Sequence, residues 1–213
     1  MAGRESYIVR EGYPFILISL GLAFLGFVLG WFILGGFLLL VVFFVTWFFR
    51  NPQRVIPPDP GVLVSPADGR VIKVVSVKNP EPLVGEYGQI SIFMNVFNVH
   101  VNRIPVMGQV VAMIYHAGRF FSANLDKASL ENERNKVIIE TEAGKIMVVQ
   151  IAGLIARRIV CWVSVGDKVE KGERFGLIRF GSRVDVYFPD GISPAVRVGE
   201  KVRAGETIIG VPK

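Results

Sequence analysis

Residues Phe15 to Phe49 include no charged side chain, thirty-five positions in succession, and this run limits what the chain can become. One bilayer crossing takes about 20 residues, so the run is long for a single helix and just sufficient for two short ones. Gly30, Gly35 and Gly36 lie near its middle and supply a bend. The expected form is therefore a tight helical hairpin rather than one tilted span. The run is far longer than the core of a cleaved signal peptide. Arg4 and Arg10 precede it and Arg50 and Arg54 follow it, a distribution that fits both ends on the cytoplasmic side. Trp47, Phe48 and Phe49 at its exit suit a headgroup-level aromatic belt.

Beyond this anchor (1–50), the prolines Pro52, Pro57, Pro58 and Pro60 make 51–61 a stiff linker to a domain over 62–213. The formal charge of the 213-residue chain is +6. Arg4, Arg10, Glu5 and Glu11 cancel within the first 49 residues, so the whole excess belongs to the remainder. With a membrane segment in the same chain, that excess points to anionic lipid rather than nucleic acid. Cys161 is the single cysteine, which excludes an intrachain disulfide. No clustered Cys/His spacing suggests a metal, and no Walker or dinucleotide glycine loop is present.

The domain reads as mostly β. Short β-branched runs recur at Val62–Val64, Val71–Val75, Gln89–Phe93, Val110–Ile114, Lys136–Glu140 and Ile146–Gln150, punctuated by glycine. Helix is expected only at 123–132 and 153–159. Val165-Gly166-Asp167-Lys168-Val169-Glu170-Lys171-Gly172-Glu173 returns, 33 residues later, as Val198-Gly199-Glu200-Lys201-Val202-Arg203-Ala204-Gly205-Glu206. Two copies predict two matching hairpin turns in a β-sandwich. Together with Ser65-Pro66-Ala67-Asp68-Gly69-Arg70-Val71 they resemble the half-repeats of lipoyl and biotinyl carrier domains, which implies a duplicated barrel sandwich.

The chemically distinctive block is Arg179-Phe180-Gly181-Ser182-Arg183-Val184-Asp185. By itself Gly181-Ser182 is a turn pair. Yet Leu177–Phe180 and Val184–Phe188 both read as strand, so the pair sits where strand is expected to continue. A Gly carbonyl leaves room for close approach of the following hydroxyl, which needs a positioned base to act as a nucleophile. The stretch Glu173 to Asp185 resembles the processing site of short-form (type A) phosphatidylserine decarboxylases. The resemblance extends over nearly the whole chain. It implies self-cleavage between Gly181 and Ser182 through an ester, elimination, and conversion of Ser182 into a pyruvoyl group. That ketone is the implied prosthetic group. It forms a Schiff base with the substrate amine and accepts electrons as carbon dioxide leaves.

The same resemblance supplies roles for other residues. Asp68 alone is a turn aspartate, and His100 beside strand residues is structural by default. In the family, an Asp in the Pro-x-Asp-Gly setting and a His in a block like Asn95-Val96-Phe97-Asn98-Val99-His100 take part in self-processing. Longer members carry another His where Phe97 stands here, so His100 or His116 is left to handle the proton of decarboxylation. Arg103, His116, Arg119, Lys127 and Arg134 are the candidates for binding the substrate and its phosphodiester. Arg157-Arg158 reads as a solvated face.

The implied partners are the membrane, an anionic phospholipid substrate, and the enzyme's own cleaved large and small chains as a heterodimer able to oligomerise further. No nucleic acid is implied, and the implied location is the cell membrane with the domain on its cytoplasmic side. Two alternatives stand beside this. One is the same reaction on an archaeal ether lipid, archaetidylserine. The other is a membrane-tethered lipoyl- or biotinyl-type carrier using Asp126-Lys127-Ala128, although both clear repeats follow that lysine rather than flank it.

Overall fold

The computed structural model describes residues 6–118, 132–153, 158–179 and 182–213. The chain divides into two units, Met1–Gln53 and Arg54–Lys213.

In the first unit, Pro14 lacks an N–H that a helix start leaves unpaired anyway, and it helps open α1 (Tyr13–Val28) after a 3-10 turn at Arg10–Gly12. Gly30 turns the chain at φ 77°, and α2 (Phe32–Phe48) returns. The helices approach closely where Gly26 meets Gly35. A Cβ on Gly26 would stand 3.3 Å from the Gly35 backbone, so the contact depends on small residues. The hydroxyls of Ser19 and Thr46 donate to carbonyls of their own helices, at 2.7 Å to Phe15 and 2.8 Å to Val42. Val9 N–H donates to the Phe49 carbonyl and Asn51 N–H to that of Tyr7, which ties the hairpin's open end. Arg10–Val28 is long and apolar enough to cross a membrane. α2 has 17 residues, about 26 Å of helix against a ~30 Å hydrocarbon core.

The second unit is β throughout its described residues. Its strands are β1 (Leu63–Val64), β2 (Gly69–Lys78), β3 (Glu86–Met94), β4 (Val101–Arg103), β5 (Gly108–His116), β6 (Arg134–Thr141) and β7 (Gly144–Ala152). They continue as β8 (Ile159–Cys161), β9 (Lys168–Val169), β10 (Arg174–Ile178), β11 (Ser182–Pro189), β12 (Ile192–Pro194), β13 (Lys201–Val202) and β14 (Ile208–Pro212). An eight-stranded antiparallel sheet runs β13-β2-β3-β11-β7-β6-β5-β9, with two small sheets ordered β1-β14-β12 and β4-β10-β8. Strand alternation sorts β11 cleanly. Val184, Val186 and Phe188 enter the main core with Ile90, Ile92 and Val148, while Arg183 and Asp185 point to the other face. Each fully buried Val or Ile contributes roughly 1.5–3 kcal/mol, which is why the central strands read as β-branched runs. The short helices expected at 123–132 and 153–159 fall largely outside the described residues; Ile159 itself opens β8.

The sequence echo is a structural duplication. Val71 N–H donates to the Glu200 carbonyl and Gly199 N–H to that of Val71; Val110 with Asp167 and Gly166 repeats the pattern. Arg70 Nη1 and Gln109 Nε2 hold the carbonyls of Gly199 and Gly166. Both glycines sit in the left-handed region, at φ 98° and 96°, where a side chain would be strained. Val64 N–H meets the Pro105 carbonyl and Arg103 N–H that of Pro66, each at 2.9 Å, a reciprocal pair between corresponding positions of two matching halves.

The second half, β4 to β10, is spliced into the first between β3 and β11. β6 and β7 are joined by a tight turn that pairs Thr141 with Gly144. At the matching junction Met94 pairs with Ser182, but the chain between them leaves for the inserted half and returns. Ser182 thus occupies the place that Gly144 holds in the second half. Of the pair expected to sit where strand continues, Ser182 opens β11 and Gly181 lies outside the described residues. β10, which ends at Ile178, belongs to a small sheet, and β11, which begins at Ser182, to the large one.

Candidate active site

Ser182 is the first residue of β11 and has no exposed surface. It lies between Met94 of β3 and Ala152 of β7, and its Oγ points at the Met94 thioether, 3.4 Å from Sδ. Gly181 lies outside the described residues. His100, 1% exposed, immediately precedes β4, and its backbone carbonyl accepts from Ile178 N–H at 3.3 Å. Its Nδ1 is 3.0 Å from the Asn98 carbonyl. A carbonyl only accepts, so Nδ1 carries the proton and Nε2 carries the lone pair of the neutral ring.

Three amides extend inward from this end of the core. Asn135 Nδ2 donates to Gln150 Oε1 at 3.2 Å, and Gln150 Nε2 donates to Asn102 Oδ1 at 2.9 Å. Asn102 Nδ2 then faces Met94 Sδ at 3.8 Å. All three are buried. Sequence reading missed them. The available signal was Gln150, a polar residue in the apolar run Ile146–Ile151, at a position whose parity faces the core.

Asp68 is engaged elsewhere. Arg54 Nη2 donates to both its oxygens, at 3.0 and 2.8 Å, and Ala204 N–H donates to Oδ1 at 2.8 Å. Arg54 also reaches Glu206 at 3.3 Å. Arg103, expected among the headgroup cations, is buried in this same charged group and donates to the Gly172 carbonyl at 2.7 Å. Burial, aided by Arg174 and Arg54 nearby, pushes its guanidinium down to about 10, while Asp68 and Glu206 oppose the shift. His116 and Arg134 pair across β5 and β6 at the Ser182 end of the large sheet. Arg134 shares the row and face of Ile151 and Arg183. Arg119 and Lys127 lie outside the described residues.

On the face opposite Ser182, Arg183 Nε and Nη2 clamp Asp185 at 2.6 and 3.0 Å. Nη2 also donates to Ser91 Oγ, and Gln89 Nε2 to Asp185 Oδ2. The pair is 1% exposed, with Ser91 and Gln89 adding hydrogen bonds to it. Removing one partner strands the other charge, so Asp185→Ala is expected to cost about 3–5 kcal/mol, read as a lowered denaturation midpoint.

Fold and site together define a β domain built from two spliced halves, with a buried serine and a buried histidine at the splice and an apolar helical pair ahead of it. The chain belongs to the phosphatidylserine decarboxylase family, whose sequence profile matches residues 41–210. It is 48% identical over 212 residues to the phosphatidylserine decarboxylase proenzyme of Geotalea uraniireducens, covering 99% of both chains. The proenzyme of Syntrophus aciditrophicus is 53% identical over 211 residues, 97% of this chain and 98% of that one. The proenzyme of Nitratidesulfovibrio vulgaris is 54% identical over 205 residues, 95% and 93% of the two chains.

Proposed function

We propose that this protein is a self-processing decarboxylase that converts phosphatidylserine to phosphatidylethanolamine at a cell membrane, with the domain on the cytoplasmic side. The observation that carries the reading is Ser182, buried at the head of a central strand where the two halves are spliced. A cut between Gly181 and Ser182 severs one of the two connections to the inserted half. The small chain, 182–213, would keep β11 between β3 and β7, β13 on β2 and β14 on β1, so the two chains hold together through ladders on both sides.

In the first step Ser182 Oγ adds to the Gly181 carbonyl carbon while His100 Nε2 takes the hydroxyl proton. Collapse breaks the C–N bond, the Ser182 nitrogen takes the proton back, and an ester joins the two residues. Asp68, bound to Arg54 and to the backbone of Ala204, fixes the turn of the first half against Arg103. The pyruvoyl group derived from Ser182 fits this setting: its position is dry, and an amide donor and a histidine lie at the same end of the core. That group supplies a ketone that condenses with the substrate amine and takes up the electron pair released with carbon dioxide. His100 delivers the proton to the product carbon. His116 and Arg134, with Arg119 and Lys127, serve the phosphodiester. We read the two-half domain as the carrier-type barrel sandwich put to enzymatic use, and Arg10–Val28 as the anchor that keeps the site at its bilayer-bound substrate.

Intact-mass measurement of purified protein tests this. Two chains are expected, the smaller starting at position 182, closed to N-terminal sequencing and reducible by borohydride. They should separate only on denaturation. A single unmodified chain with decarboxylase activity overturns the reading.

A further inference from the structure

We propose that Asn102 is the amide donor that stabilises the oxyanion formed on the Gly181 carbonyl during self-cleavage, aimed by Gln150 and Asn135. The inference rests on the self-processing reading above and deepens it. When Ser182 Oγ adds to that carbonyl, the π electron pair moves to the oxygen, and a negative charge appears next to a serine with no exposed surface. Such a charge needs preorganised donors. The Gly181 carbonyl carbon is one bond from the Ser182 nitrogen, and Ser182 heads β11 opposite Met94.

Two buried donors converge there on a poor acceptor. Among the described residues, Ser182 Oγ and Asn102 Nδ2 both find the Met94 thioether, at 3.4 and 3.8 Å. Sulfur is a weak acceptor, so both remain available to a stronger one. The direction of the Asn102 amide is not arbitrary. Gln150 donates to its oxygen, which turns its NH2 toward Met94, and Asn135 in turn fixes Gln150.

The duplication supplies an internal control. Asn102 pairs with Gly176 in one small sheet as Leu63 pairs with Gly210 in the other. By register across the large sheet, Gln150 corresponds to Phe188 and Asn135 to Gly88, which are themselves paired. The same fold positions are therefore filled once by Leu63, Phe188 and Gly88 and once by three amides. Packing alone does not require amides there. The apolar set belongs to the first half and lies at the Gly144 end of the sheet, next to Pro189, whereas the amides belong to the second half and lie at the Ser182 end.

The test measures the first-order conversion of full-length chain into its two fragments. Asn102→Leu installs the residue that the other half already uses. It leaves the buried Gln150 amide without its acceptor, so the melting temperature is expected to fall, and it is expected to slow cleavage about 10²–10³-fold, while Asn102→Leu combined with Gln150→Met should recover stability and not cleavage. Gln150→Met, which frees Asn102 to rotate, should slow it less. Asn102→Asp carries a donor only while its carboxyl is protonated and still depends on neutral His100, so its cleavage should fall on the alkaline side as well as the acid side, whereas the wild type falls only on the acid side. Cleavage of Asn102→Leu at the wild-type rate, or an Asn102→Asp profile parallel to the wild type, overturns this proposal alone. A wild-type chain that never cleaves overturns the self-processing reading beneath it.

Discussion

Replacing Ser182 with alanine is expected to leave one unbroken 213-residue chain that releases no carbon dioxide from phosphatidylserine. The expected loss is complete because the hydroxyl is consumed in making the electrophile, and no other group on the chain replaces a ketone at that position. Folding should survive the change. The hydroxyl removed is buried, and its acceptor is the Met94 thioether, so the net loss lies at or below the ~0.5–1.5 kcal/mol of an ordinary hydrogen bond. The backbone pairing of β11 with β3 and β7 does not depend on it. Denaturing electrophoresis and release of labelled carbon dioxide from the substrate carboxyl check the two halves of the expectation separately. A folded Ser182→Ala protein that decarboxylates would show that the electrophile comes from elsewhere.

The helical pair was legible because an uninterrupted uncharged run has few other fates, and Gly30 marked its turn. The large-sheet strands were legible as β-branched runs, since a strand buried on both faces has little polar interruption. The echo at Gly166 and Gly199 was legible because both turns require a left-handed residue. What stayed hidden depends on register and on sheet switching. Periodicity assigns Gln150 to a face but cannot say that Asn102, in a three-residue strand of another sheet, lies across from it. Nor can it show that the strand-like stretches on either side of Gly181 belong to different sheets. Arg54 read as part of a stiff linker, yet its guanidinium folds back onto Asp68, fourteen positions on. Arg103 read as a cation for the substrate, because nothing local reveals that the turns at Gly172 and Gly205 close over it.

His100→Gln is the second large effect. Glutamine retains an N–H for the Asn98 carbonyl and much of the volume, but it has no nitrogen able to take a proton. Loss of a positioned general base costs about 10²–10⁴ in rate, so fragments should accumulate that much more slowly than in the wild type. The pH dependence follows from the tautomer. With Nδ1–H committed to a carbonyl, Nε2 is the basic nitrogen, and protonating it removes the lone pair, so wild-type cleavage falls as pH falls. The glutamine variant has nothing to titrate there, and its residual cleavage should lose that acid limb. The chain that does cleave then separates the two proposed duties of the residue. Carbon dioxide released per mole of small chain should also be reduced, because the same His100 ring is proposed to deliver the proton to the product carbon. Normal turnover per cleaved chain would instead assign the second proton transfer to another group; His116, the other histidine, lies at the Ser182 end of the sheet but on its opposite face.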